Sequence, residues 1–212
     1  NAFSDDVSVG VAPTFVVLGL FYLVLMMFGA FTIRVPAEGW KPEGYVAPKV
    51  KNKLVSSNHV NVSQAMKTPQ FWLLFWVLCL NVTAGIGVLG QASVMIQELF
   101  SEASVGKQAA IGAGAAAGFV SLLSLFNMGG RFVWSSVSDK LGRKNTYTIF
   151  FVLGSLLYFA VPSIGESGDK ALFIIGFCVI ISMYGGGFAA IPAYLKDLFG
   201  TYQVGAIHGR IL

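Results

Sequence analysis

The sequence predicts an all-α polytopic membrane bundle, and three observations carry that prediction. Of 212 residues, 55% are hydrophobic and only 11% are charged, where a soluble domain usually carries about 25% charged residues. The apolar residues gather in long runs rather than in amphipathic patterns, which is the signature of membrane spans. Five of those runs are uncharged over the roughly 20 residues that a helix needs to cross a bilayer. Only helices and closed barrels satisfy their backbone groups within lipid, and these runs are too long and too continuous for barrel strands.

The predicted spans are 7–33, 68–97, 108–130, 145–165 and 171–195, with a sixth beginning near Val204. The third continues as helix to about Ser138 despite Arg131. Between the first and second lies 34–67, which contains "RVPAEGWKPEGYVAPKVKNK". It is rich in Pro, Gly and Lys and has no apolar period, so it reads as a linker between two bundles. Its lysines can touch anionic lipid or simply be solvated. The predicted organisation is therefore a first span with a short outer segment (1–33), a cytoplasmic linker (34–67) and a second transmembrane bundle (68–212). The chain starts at Asn1 and ends in "GAIHGRIL", which reads as a helix just beginning. The expectation is a piece of a larger membrane protein, without a signal peptide.

Charge sets the orientation. Segment 34–67 sets Arg34, Lys41, Lys49, Lys51, Lys53 and Lys67 against Glu38 and Glu43, and 131–144 sets Arg131, Lys140, Arg143 and Lys144 against Asp139. The connections near Asp5 and Asp6, near Glu98 and Glu102, and near Glu166 and Asp169 are net negative. Basic and acidic connections thus alternate, as consecutive crossings require, and the positive-inside rule makes the basic ones cytoplasmic.

Within the spans a few residues stand out. "GAGAAAG" (112–118) sets Gly114 and Gly118 four apart, and "GIGVLG" (85–90) is similar; such spacing clears a helix face for a close neighbour. "SDKLGRK" (138–144) is short enough only for a tight turn. Gly142 can take the left-handed conformation that ends a helix. Asp139 can accept from a neighbouring helix N-terminus or pair with a basic residue, holding the helix ends in one conformation. The alternative is that the basic residues there only determine topology.

Arg131 stands apart. It lies eight residues before Asp139, about 12 Å deeper along a helix and hence near the middle of a roughly 30 Å core. A charge at that depth is costly and usually faces a cavity or a partner. The other spans contain no acid to pair with it. Three readings stay open: a carboxylate ligand gripped bidentately, a side chain snorkelling to the surface, or an ion pair with an acid outside this chain. In the fifth span "SMYGGGFAAIPAY" places Tyr184 and Phe188 one turn apart on one face. Gly185, Gly186 and Gly187 weaken that helix and Pro192 can kink it, and interrupted helices are where transporters place binding sites. Lipid-facing or packing aromatics are the plain alternative. Asn81 and Gln91 are polar residues of the second span that either line a pathway or bond between helices.

Other classes find little support. Cys79 and Cys178 both lie inside apolar runs and form no disulfide frame or zinc spacing. The sequence offers no metal cluster or nucleophile arrangement, and only His59 and His208 as histidines, so neither an enzyme nor a cofactor is expected. No nucleic-acid partner is expected. "NVS" (61–63) and "NVT" (81–83) match the glycosylation sequon but fall in a cytoplasmic and an intramembrane position.

"SSVSDKLGRK" resembles the major facilitator loop pattern Gly-x-x-x-Asp-Arg/Lys-x-Gly-Arg-Arg/Lys, with Ser135 at the first glycine. In that family the pattern lies between helices two and three and recurs between helices eight and nine. The long basic segment two spans upstream fits the second copy. The resemblance thus implies the second half of a major facilitator fold, from helix six to the start of helix eleven. Three stretches, 68–93, 124–145 and 184–210, are more specifically similar to the oxalate/formate antiporter branch, which is related to the monocarboxylate transporters. The resemblance implies alternating-access transport of small mono- or dicarboxylates across a plasma or bacterial inner membrane. The implied partners are the substrate anion, the bilayer and an N-terminal bundle of the same transporter. It also implies that Arg131 binds the substrate carboxylate and that Tyr184 and Phe188 wall its pocket. Gln91 and Asn81 rank below Arg131 as candidates to line the same pathway, and Asp139, Gly142 and Arg143 are expected to stabilise the cytoplasmic gate. The family's second cationic ligand, a helix-eleven lysine, would lie beyond Leu212. A transporter-like sensor or an inactive fragment is the competing expectation.

Overall fold

The computed structural model describes residues 7–34, 36–37, 39–44, 60–105 and 110–212. It divides into two compact units, 1–50 and 51–212. The first holds α1 (Val7–Thr32). Its apolar stretch Ala12–Thr32 is long enough to cross a membrane. A helix apolar on every side has no face to bury against a single neighbour, so its natural surrounding is lipid. Most of the predicted linker 34–67 lies outside the described residues.

The second unit runs α2 (Val62–Ala65), α3 (Pro69–Leu99), α4 (Glu102–Val105), α5 (Ala113–Leu141), α6 (Arg143–Ser167), α7 (Lys170–Phe199) and α8 (Val204–Ile211). With α1, the helices α3, α5, α6 and α7 make five among the described residues that are long and apolar enough to span a membrane. Their ends follow local chemistry. The Thr68 side chain accepts from Phe71 N and Pro69 occupies the first turn of α3, where its missing N–H is not needed. Asp169 Oδ1 accepts from Leu172 N at 3.0 Å and caps α7. The chain before α3 is tied down: Val60 N donates to Phe199 O, Val62 N donates to Gln203 Oε1, and Ala65 is buried.

The central element is α7. Of its apolar stretch 56% is buried inside the protein, against 22–28% for α3, α5 and α6. Two apolar clusters share it. Phe100, Phe119, Phe173 and Phe177 fill one; Leu78, Tyr147, Phe150, Ile191 and Leu195 fill the other. Lipid is as apolar as these side chains, so the hydrophobic effect does not hold such helices together. Close van der Waals packing and interhelical hydrogen bonds do.

The glycines show where that packing is tightest. A Cβ on Gly130 of α5 would lie 2.1 Å from Ser182 O on α7, and one on Gly185 would lie 2.1 Å from Asn127 O on α5. Gly186 receives Trp134, Gly187 receives the Asn81 amide, and Gly85 receives the ring of Tyr184. The triple glycine expected to weaken α7 therefore makes room for three side chains and a backbone, and α7 is continuous helix through Pro192. The expected close neighbour at Gly114 and Gly118 is not found. A Cβ on either meets nothing within 4 Å among the described residues. The seam uses Gly130 instead, three turns beyond Gly118 along α5.

Candidate functional site

The polar residues of α5 form a stripe. Ser124, Asn127, Arg131, Ser135 and Ser138 follow one another at intervals of three or four and so share a helix face. The serines are already satisfied. Ser124 Oγ donates to Val120 O, Ser135 Oγ to Arg131 O, and Ser138 Oγ to Ser135 O. Two groups on the stripe are not. The Arg131 side chain is exposed and has neither an ion pair nor a hydrogen bond among the described residues. Asn127 makes no side-chain hydrogen bond among the described residues, and its Oδ1 is buried.

Arg131 follows Gly130 directly. One residue turns the helix by about 100°, so its side chain leaves the α5–α7 seam at the flank. It lies about 27 Å along the helix from Ala113 and about 12 Å from Asp139, within the membrane-length part of α5. Tyr184 and Phe188 sit at the same level of α7, because Asn127, one turn before Arg131, lies against Gly185. Their rings meet edge to face with centroids 5.3 Å apart. Tyr184 leans on Gly85 of α3 and Phe188 packs on the core around Ile191. Both are half-buried.

Asn81 is brought into this layer. It is 7% exposed, and its Nδ2 donates to Tyr184 O at 3.4 Å. Of its two sequence-level roles it takes the interhelical one. Gln91 is exposed on α3, and nothing ties it to Tyr184. Two further bonds hold the glycine-rich part of α7: Tyr147 Oη donates to Gly187 O at 2.6 Å, and Trp134 Nε1 donates to Ser182 Oγ at 3.1 Å.

At the α5–α6 turn the expected charge contacts are present, with an added member. Arg143 Nη2 lies 2.5 Å from Asp139 Oδ1 and its Nε lies 3.2 Å from Asp197 Oδ2 at the end of α7. Arg143 Nη1 also donates to Ser138 Oγ. Asp197 is 14% exposed and Asp139 is 65% exposed, so the Asp197 pair is the less screened one. Sequence reasoning named Asp139 and missed Asp197, because the pair spans 54 residues and no local spacing signals it. Gly142 has the expected positive φ of 86°, but its ψ of 149° is extended rather than left-handed helical. It ends α5 and starts α6 in a single residue. The stripe at Asn127 was also missed, though its intervals of three and four were legible in the sequence.

Among the described residues no three His, Cys, Asp or Glu side chains gather to hold a metal. Cys178 is buried and Cys79 half-buried, both unpaired. The chemistry on offer along α5 is an exposed guanidinium one helical turn from an amide, on a helix of membrane-spanning length.

The sequence profile of the Major Facilitator Superfamily matches residues 7–211. The chain belongs to the Major Facilitator Superfamily. It is an integral, multi-pass membrane protein of a transporter family, and the expected fold class holds. Three curated relatives align with most of it. The oxalate:formate antiporter of Oxalobacter formigenes is 32% identical over 193 residues, which are 91% of this chain and 41% of that protein. The uncharacterized MFS-type transporter YhjX of Escherichia coli (strain K12) is 27% identical, over 96% of this chain and 46% of its own length. The apicoplast pyruvate carrier 1 of Toxoplasma gondii is 25% identical, over 97% and 40%. The chain thus spans less than half the length of these relatives.

Proposed function

We propose that this chain supplies half of a carrier for small organic anions, mono- or dicarboxylates, working by alternating access. The observation that carries the reading is Arg131: a fixed cation on a membrane-length helix, exposed on its polar stripe, with no anionic partner among the described residues. An uncompensated charge at that depth costs about 2.5–3.5 kcal/mol on insertion-based scales. A carboxylate that binds the guanidinium bidentately offsets that cost. Tyr184 and Phe188 form the wall of the site at the same level, and Asn81 fixes Tyr184 through its carbonyl. Arg143, with Asp139 and Asp197, staples the cytoplasmic ends of α5, α6 and α7; the basic α5–α6 turn is cytoplasmic by the positive-inside rule. The relatives named for oxalate, formate and pyruvate support the substrate class. The site is completed by a second bundle, since two bundles rocking about a midplane site are what alternating access requires.

The test is uptake of labelled formate, oxalate, lactate and pyruvate by the full-length protein in liposomes, with Arg131→Gln and Arg131→Lys alongside. Uptake of at least one acid is expected, falling by about a hundredfold or more in Arg131→Gln, since loss of a buried charged hydrogen-bonded partner costs several kcal/mol. Arg131→Lys keeps the charge without the planar fork and should fall between. Undiminished transport by Arg131→Gln would refute the assignment of Arg131.

A further inference from the structure

We infer that Asn127 is a second anion-site donor, and that it selects carboxylates bearing another oxygen on the adjacent carbon, as oxalate, pyruvate and lactate do, over simple acids such as acetate. The inference rests on the proposed carboxylate site at Arg131 and adds a residue and a substrate feature to it. Asn127 and Arg131 are one turn apart on α5, which sets their Cβ atoms about 5–6 Å from each other on one face. The Asn127 amide is held in a fixed direction. Its Oδ1 is buried and lies over Gly185, where a Cβ would sit only 2.6 Å away. The main-chain N–H groups of α7 are taken up within that helix, so Oδ1 meets C–H groups there and finds no donor. A buried acceptor without a partner is uncommon and asks for a reason.

The reason lies at the other end of the amide. With Oδ1 pressed against α7, the Nδ2 group is turned away from the seam, and it has no hydrogen bond. The serines before and after it on the stripe have spent their donors on backbone carbonyls. The unsatisfied donors of the stripe are therefore the Asn127 amide and the Arg131 guanidinium. A carboxylate on Arg131 presents whatever its α-carbon carries to a neighbouring group. A second carboxylate, a keto or a hydroxyl oxygen can accept from Asn127 Nδ2; a methyl group or hydrogen cannot. Such an analogue leaves the amide unpaired, which is the form of discrimination that a polar donor achieves and an apolar wall does not.

The experiment is competition in liposomes holding the full-length protein, comparing pyruvate and oxalate with acetate and propionate as inhibitors of uptake of the best transported acid. Asn127→Leu keeps the branched shape and removes the donor; Asn127→Gln keeps the amide donor on a longer arm. In Asn127→Leu the apparent affinity for oxalate should fall about tenfold, as expected for a hydrogen bond with a charged group, and that for pyruvate about fivefold, as expected for a neutral acceptor, while that for acetate stays within about twofold. Asn127→Gln should recover part of the preference. If the leucine variant fails to insert, Asn127→Ala is measured against Asn127→Gln instead, with the same ratio as the readout. An unchanged ratio of pyruvate to acetate affinity, or an equal loss for both acids, overturns the inference and leaves the Arg131 site standing. Absence of any carboxylate uptake by folded wild-type protein overturns both.

Discussion

Gly130→Ala tests the account of what holds this bundle together. The added Cβ would stand 2.1 Å from Ser182 O, with Ser182 C and Cα both 2.7 Å away. An ordinary carbon–oxygen contact is about 3.4 Å, so the α5–α7 seam must open by about 1.3 Å. All three blocking atoms are backbone, so no side-chain rotation relieves the clash. Overpacking usually costs about 1–3 kcal/mol when side chains can yield, and a backbone clash belongs at the upper end of that range. The same opening takes Trp134 Nε1 from its 3.1 Å bond to Ser182 Oγ, a further loss of about 1 kcal/mol. The gain in helix propensity on replacing glycine by alanine returns about 1 kcal/mol. The net destabilisation is about 3 kcal/mol. Gly129→Ala is the control, because a Cβ on its neighbour meets nothing within 4 Å, and it should be neutral or slightly stabilising. The assay is a reversible detergent-unfolding titration of the purified full-length protein, followed by tryptophan fluorescence. Equal stabilities for the two alanine variants would refute the reasoning, since they differ only in what the new methyl group meets.

The other stability predictions concern the α5–α6 turn. Gly142→Ala and Gly142→Asn should each lower stability by about 1–3 kcal/mol in the same titration, and asparagine should give no rescue, because φ 86° with ψ 149° is a glycine region and not the left-handed well that asparagine tolerates. Asp197→Asn should cost about 2 kcal/mol and Asp139→Asn less than about 0.5 kcal/mol, with salt weakening the second contact first, since Asp197 is largely shielded and Asp139 is 65% exposed; equal effects in a double-mutant cycle with Arg143→Gln would show that exposure does not rank these pairs.

The spans were legible because lipid imposes one demand that a sequence displays directly: an uncharged run of sufficient length. Thus the start of α8 at Val204 and the passage of α5 beyond Arg131 could both be read. The pairing of helices was less legible, because every helix here is apolar on several sides. Gly114 and Gly118 have the spacing of a contact face, yet the closest approach is made by Gly130 and Gly185, which the sequence does not distinguish from Gly129 or Gly187. Asn81 could be read as polar and intramembrane, but only the fold shows that it reaches Tyr184 O. The Arg143–Asp197 contact joins residues 54 apart and needed the parallel course of α5 and α7 to be known. Arg131 was conspicuous for the opposite reason: a charge within a span is visible without any tertiary information.

The two levels at which α5 and α7 are joined constrain how the proposed carrier can move. Gly130 and Gly185 bring the two backbones into contact beside Asn127 and Arg131. One end of the bundle adds the bridge from Arg143 to Asp197, with Ser138 of α5 bound to the same arginine. Opening α5 from α7 at the anion site would strip close contacts that side chains cannot replace, and opening the turn would strand a shielded carboxylate. A hinge inside this unit is therefore disfavoured at both levels. Among the described residues, the exposed flank of α5 that carries Arg131 is free of such ties. Alternating access would then shift the whole α5–α7 pair against the surface that faces that flank, with the anion binding where the two surfaces meet. Crosslinking offers a direct check: a short bifunctional thiol crosslink between cysteines placed at Val133 and Val179, which line one groove between α5 and α7, should leave transport intact if the pair moves as one body, and should abolish it if α5 and α7 must separate.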